Sequence, residues 1–265
     1  MTEEPYRWVE AIANRREYIE HQLAGGSPIA ALSYADGVVL FTLGRYRQKI
    51  FEVYDRIAMG AIGHPGDIER LRMASIEVTS TEGFARSAQD VSLRRLANYS
   101  LSPLLKAAFE QIYGPPFLAR LLFAELGRGT APDSFLRLEY DGSIRANGGA
   151  FGRTMDHFGV VSGTAVSTTK MEEFLRAHFK ENLSLEAALK LALDAWTVGH
   201  LSLDGDAAGE LPSHAEIVRH RREQLESAAI EAAVLERGSP LPMTWRPLAD
   251  ADLRAQLGGV LDSRA

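Results

Sequence analysis

Cysteine is absent from all 265 residues, and that one absence closes several doors. Without a thiol there is no disulfide framework, no thiolate zinc or iron–sulfur site and no cysteine nucleophile. Such a chain suits a reducing compartment. No apolar run approaches the roughly 20 residues of a membrane span. The start, Met1-Thr2-Glu3-Glu4, is acidic and leads into no apolar signal segment. A cytoplasmic chain without membrane contact is the expectation. Basic excess is missing as well. Twenty-nine Lys and Arg against 35 Asp and Glu leave a net charge of −6, which argues against a dedicated nucleic-acid binder. The densest basic run, Arg219-His220-Arg221-Arg222, is diluted by Glu216, Glu223 and Glu226 and reads as a solvated helix face.

The common catalytic signatures are also missing: no G-x-S-x-G elbow, no Walker loop, no G-x-G-x-x-G after a strand, no H-E-x-x-H. Asp204-Gly205-Asp206 starts like a calcium loop but has no closing glutamate, so it reads as a loop. His214 and His220 do not share a helix face, and His157 and His178 stand alone. Neither a metal nor a cofactor is expected.

What is present is an ordinary globular composition. Hydrophobic residues at 46% and charged residues at 24% suffice for a core that needs no staples. Trp8, Ile12, Ile19 and Leu23 form one stripe of a helix over 8–24, stopped by Gly25-Gly26. Two hairpins follow. Ile29–Tyr34 and Val38–Leu43 flank the strong turn Asp36-Gly37, and Lys49–Tyr54 and Ile57–Ile62 flank Asp55-Arg56. Ile68, Leu71, Ala74 and Val78 then mark one helix. Leu93 to Ile112 marks a second, with Asp90 as N-cap and a kink expected at Pro103.

After Gly114-Pro115-Pro116 the period becomes two. Phe117–Leu126 is apolar on both faces, Leu136–Tyr140 alternates, and Asp141-Gly142 turns into Ser143–Ala146. A glycine-rich loop spans 147–153, and His157–Val161 reads as a short strand. Thr169 with Glu172 predicts a capping box for the next helix, and Ser184 caps another. Residues 200–212 read as loop and 213–226 as a charged helix with no assigned docking face. Ile230–Leu235, Met243–Arg246 and a terminal helix over 248–257 close the chain. Hairpin-joined strands give antiparallel sheets, and helix pairs arriving between them give a helix layer on each outer face. The fold class is therefore α+β, a four-layer αββα sandwich with an extra N-terminal helix.

Several stretches carry a family likeness. Ser27-Pro28-Ile29-Ala30-Ala31-Leu32-Ser33-Tyr34-Ala35-Asp36-Gly37-Val38-Val39-Leu40 resembles the first hairpin of proteasome-type subunits, which share the N-terminal nucleophile hydrolase fold. Gln48 to Arg56, Asp90-Val91, Leu96-Ala97-Asn98, Tyr140 to Ile144 and Ile230 to Leu235 continue it in order and spacing. The likeness is nearest to the α-type subunits of bacterial, actinobacterial-like 20S proteasomes and covers roughly 5–198 and 227–257. It implies a single domain over 1–265: a gate segment 1–7, the helix 8–24, a sandwich core over 27–199 and 227–257, and an insertion 200–226. The loop 147–153 is also longer than expected. For the insertion, decoration of the outside is favoured over partner docking.

In catalytic β-type relatives an exposed N-terminal threonine attacks the peptide, with its own amine as base. Ser27 matches that threonine here, but a helix precedes it, Leu43 stands where β subunits hold an aspartate, and Pro28 stiffens the strand. The resemblance therefore implies a non-catalytic α subunit. A self-processing hydrolase using Ser27 is the alternative, and a homomeric ring without proteolysis a third reading. As an α subunit the chain would sit in a heptameric ring beside neighbouring α subunits and stack on β subunits. Glu3, Glu4, Pro5, Tyr6 and Arg7 would belong to its gate. Pro5-Tyr6 is similar to bacterial α subunits, while the Tyr-Asp-Arg gate motif of archaeal and eukaryotic relatives is absent. The family's matching lysine is Lys49, which would capture the C-terminal carboxylate of a hexameric AAA ATPase; the plain reading is a strand-edge lysine. Gly60 and Gly63 would line the same pocket.

Overall fold

The computed structural model describes residues 4–45, 47–111, 113–146, 157–205, 209–239 and 243–261. Helix α1 (Glu4–Leu23) precedes β1 (Ile29–Tyr34), β2 (Gly37–Gly44), β3 (Ile50–Tyr54) and β4 (Ile57–Gly63). Then come α2 (Pro65–Ala85), a helical turn α3 (Leu93–Arg95), a π-helical segment (Leu96–Leu101) and α4 (Ser102–Glu110). Strands β5 (Ala119–Glu125), β6 (Ser134–Leu138), β7 (Ile144–Ala146) and β8 (Phe158–Val161) follow. Helices α5 (Ala165–His178), α6 (Leu185–Leu201) and α7 (His214–Ser227), strands β9 (Ala229–Glu236) and β10 (Trp245–Pro247), and α8 (Asp250–Leu261) complete the order.

Two five-stranded sheets result, β10-β9-β2-β1-β8 and β3-β4-β5-β6-β7, with every pair antiparallel. Strand β1 shows why its sequence lacks polar alternation. Ile29 and Ala31 pack between the sheets with Val38, Leu40, Ala58 and Leu122. Ala30, Leu32 and Tyr34 face the opposite way, into the layer formed with Leu175, Leu189 and Trp196 of the helices. Both faces are buried, so both are apolar. On the far side Leu71 of α2 and Leu105 of α4 cover Met59, Leu121 and Phe123. The four layers read from the sequence are present in that order.

Four local expectations need correction. Helix α1 starts at Glu4 rather than at residue 8, so its first turn absorbs residues assigned to a gate segment. The cap before α3 is Ser92, not Asp90, and its hydroxyl accepts from the Arg95 N–H at 3.4 Å. Ser92→Ala is expected to cost about 1 kcal/mol in thermal unfolding, with Asp90→Ala near neutral. Pro103 breaks nothing. The preceding turn widens to π geometry, the Ser102 N–H reaches Ala97 O, and Pro103 then falls in the first turn of α4, where its missing N–H has no duty. Finally, Thr164 caps α5 by accepting from the Ser167 N–H at 3.1 Å, so the helix is already running at Thr169. Glu172 instead holds Arg137 at 3.1 Å.

Smaller boundary shifts accompany these. The 200–226 stretch opens inside a helix, because α6 runs to Leu201. Helix α7, given no docking face above, packs on α6 through Ile217 and Leu225 and pairs Arg221 with Asp194 at 2.7 Å. Its Ser213–Glu216 capping box is complete. The glycine-rich loop 147–153 lies outside the described residues.

Helix α1 is fixed to the sandwich by a charged network under its C-terminal half. Arg120 of β5 is buried, donating to both Glu20 oxygens at 2.6 Å, to Glu139 at 2.7 Å and to Gly163 O at 2.6 Å. The Tyr140 hydroxyl adds a 2.6 Å bond to Glu20. Arg137 extends the chain from Glu139 to Glu172 of α5.

Candidate functional site

The site is assembled where β1 begins, β2 ends and β3 begins. Gly26 is held by its N–H on Leu23 O at 2.8 Å and its carbonyl on the Gly163 N–H at 3.0 Å, which fixes Ser27 at the entry to β1. The Ser27 hydroxyl donates to Leu43 O at 2.8 Å and accepts from the indole N–H of Trp196, in α6, at 3.2 Å. The Thr42 hydroxyl donates to Pro28 O at 2.7 Å and ties the same two strands. An indole N–H only donates and an amide oxygen is no base, so neither partner can take a proton from Ser27. The Leu43 side chain is buried and packs in the helix-facing core, so only its carbonyl addresses the site.

Lys49 precedes β3 and its ammonium donates to that same Leu43 carbonyl at 3.1 Å. Its backbone N–H is taken by Glu231 of β9, whose two oxygens lie 2.9 and 3.0 Å away. One of those oxygens also accepts from the Ile50 N–H at 2.8 Å. Glu231 thus spends its charge closing the β2–β3 connection and bridging the two sheets, not on a direct bond to the ammonium. Burial pushes the Lys49 amine down to about 8, with the Glu231 charge opposing. Burial pushes the Glu231 carboxyl up, opposed by its two backbone N–H donors and Lys49.

Beside this cluster opens a cleft of about 360 Å³ lined by Arg45, Arg47, Gln48, Ile230, Trp245 and Leu248 among others. Arg45 and Arg47 stand at the β2–β3 connection, and the β9–β10 side is apolar except for the Glu231 carboxylate, whose oxygens are held by the Lys49 and Ile50 N–H groups. Such a lining can take a carboxylate attached to an apolar side chain.

Neither Gly60 nor Gly63 is among the residues that line this cleft. Gly60 pairs with Ile50 in the β3–β4 ladder, and a Cβ there would meet Ile29 Cγ2 at 3.0 Å, so its bareness serves sheet-to-sheet packing. Gly63 ends β4 with φ +129°, and a Cβ there would sit 2.0 Å from Leu118 O. Glu4, Pro5, Tyr6 and Arg7 form the first turn of α1, and Glu3 lies outside the described residues. Sequence reasoning gave no site role to Glu231 or Trp196. A single carboxylate inside the apolar run Ile230 to Leu235 was the available signal for the first. Among the described residues no group of three or more His, Asp or Glu side chains could hold a metal ion, and no helix is long and apolar enough to cross a membrane.

Comparison with known proteins matches this arrangement. A family model described as Proteasome subunit matches residues 23–203, more than half the chain. A proteasome subunit alpha of Actinosynnema mirum is 32% identical over 233 residues, covering 87% of this chain and 78% of the relative. Another, from Mycolicibacterium vanbaalenii, is 35% identical over 195 residues, covering 72% of this chain and 71% of the relative. A third, from a Nocardioides species, is 28% identical over 251 residues, covering 94% and 86%. Two stacked antiparallel sheets between helix layers and these relatives agree: the chain belongs to the proteasome subunit family, on its α-type side.

Proposed function

We propose that the chain is a non-catalytic α-ring subunit of a 20S proteasome core that takes part in protein degradation, controls substrate entry and receives the C-terminal carboxylates of a hexameric AAA ATPase at Lys49. On this reading the ring is heptameric and stacks on β subunits that carry the active-site threonine. Each subunit meets its neighbour head to tail, and closure of the ring follows from rotation. The gate would be formed at the start of the chain, around Glu3, Glu4, Pro5, Tyr6 and Arg7.

The observation that carries the carboxylate-capture part is the cost built into Lys49. Its ammonium is desolvated, with its pKa lowered to about 8, and it donates to a backbone carbonyl that Ser27 already satisfies. Glu231 attracts the ammonium without bonding to it directly, and this supports a role in which an incoming carboxylate completes the pair. The two roles separate experimentally. Lys49→Met keeps the stem packing and removes the buried charge, so thermal unfolding is expected to be unchanged or to shift upward. In the assembled core the same variant is expected to lose stimulation of peptide hydrolysis by the C-terminal peptide of the ATPase. A lower melting temperature together with intact stimulation would mark Lys49 as structural only. Native mass spectrometry of the chain expressed with a β subunit from the same genome tests the ring itself. A two-component assembly that keeps residues 1–26 is the expected result, and a homomeric species trimmed to Ser27 would point to the hydrolase alternative.

A further inference from the structure

Helix α7 and the last turn of α6 meet through two histidines. Nδ1 of His200 lies 2.8 Å from Nε2 of His220. The His200 ring stacks on Trp196 at 4.8 Å and 23°, and the two imidazole centroids are 5.0 Å apart. One ring must donate and the other accept. Glu223 Oε2 lies 3.8 Å from Nδ1 of His220, which draws a proton to that nitrogen and leaves Nε2 as the acceptor. His200 then donates through Nδ1, and its bare Nε2 is left as its site for a further proton.

Every element packed around the pair bears on its charge. From the β2–β3 connection Lys49 and Arg45 disfavour a cation on His200, and Asp204 after α6 favours one weakly. On α7, Arg219 disfavours a charge on His220 and Glu223 favours it. Burial is the largest influence on both rings, and it holds His200 down to about 4. Two further polar ties hold α7: Arg45 to the Ser227 hydroxyl, and Arg221 to Asp194, whose carboxyl burial pushes up while Arg221, His214 and His178 pull it down.

We propose that the His200–His220 pair is a proton-operated latch that holds α7 on the sandwich at neutral pH and releases it on acidification. One proton can be shared across the 2.8 Å gap; a second leaves two donors facing each other and places two cations beside Lys49 and Arg45. The sign follows from linkage. A released ring titrates near 6.5 and the docked His200 near 4, so the released form binds more protons between those values, and docking weakens as pH falls through that window. His200 alone shifts the docking equilibrium by about 30-fold between pH 7.5 and 5.0. This regulation goes beyond the α-ring reading and does not depend on it.

Hydrogen exchange of the full chain, corrected for intrinsic rates, tests the latch. Protection across His214–Ser227 is expected to drop by about 30-fold or more from pH 7.5 to 5.0 relative to β1 and β2. In His200→Gln an amide N–H can still donate to His220 but the buried ring that carries the shift is gone, and the drop is expected to shrink several-fold. His220→Gln, which keeps His200 and an acceptor for it, serves as the second variant and is expected to keep most of the drop, and ring titration of the native chain by NMR is the measurement that needs neither. No selective loss at α7, an undiminished loss in His200→Gln, or both rings titrating at the ordinary value would overturn the proposal.

Discussion

Arg120→Met is expected to lower stability by about 3–5 kcal/mol, the range for breaking a buried charged network from one side. The substitution leaves Glu139 with Arg137 as its remaining cation and removes the donor that Gly163 O and Glu20 now share. Glu20 is half exposed and recovers water, so most of the loss falls on Glu139 and the Gly163 carbonyl. Urea unfolding of the purified chain measures the loss. Adding Glu139→Gln to Arg120→Met should recover a part of it, because the charge that has lost one of its two cations disappears while Arg137 keeps Glu172. A single-variant loss under about 1 kcal/mol would show that water already screens the network. Since Arg120 also ties α1 through Glu20, exchange protection in Ile19–Leu23 should fall further than protection in β5.

Gly63→Ala carries the second large effect, about 3 kcal/mol or more of destabilisation. Alanine strains at φ +129°, and its methyl would collide with backbone, 2.0 Å from Leu118 O and 2.8 Å from Ala119 Cα. Relief requires β4 and β5 to part where Gly63 pairs with Ala119 and where the His64 N–H reaches Leu118 O at 2.7 Å. Gly60→Ala should cost less, because the atom it meets is a methyl of Ile29 that can move a few tenths of an ångström. Thermal melts of the two variants rank them directly. A near-silent Gly63→Ala would move that glycine from a backbone requirement to a surface choice, which is what a pure pocket-lining role predicts.

The strands were legible because burial on one or both faces writes itself into side-chain period. Ile29–Tyr34 was read with its exact bounds, and Ile57–Ile62 within one residue. Helix starts were less legible wherever two cap-like residues competed. Asp90 and Ser92 both qualify chemically, and Ser92 caps because the turn of Ser87 to Asp90 closes on its own hydrogen bond. Thr164 precedes Thr169, and nothing in either residue type says which one follows the chain reversal at Gly163. The π turn before Pro103 was invisible, since it arises from fitting Leu96, Leu101 and Leu105 to one core and not from any local preference. At the site, Lys49 and Ser27 came from resemblance, whereas Glu231, Trp196 and the His200–His220 contact depend on strand and helix placement far apart in the chain. Spacing argued against a His214–His220 pair and said nothing of His200, which tertiary packing brings to His220.

The two sheets differ in how soon they can be finished. All five strands of β3-β4-β5-β6-β7 follow one another between Ile50 and Ala146, so each finds its neighbour as soon as the next strand leaves the ribosome. The other sheet waits. Strand β2 pairs along its whole length with β9, which begins only at Ala229, after the entire α5–α7 layer has been made. Until then β2, apolar on both faces, has an open edge of unpaired N–H and C=O groups. Synthesis of this chain therefore has a long vulnerable interval and a brief closing step, with the β9–β10 hairpin acting as the last stave. Truncations that stop before Ala229 should aggregate even though most of the helices and one complete sheet have already been made.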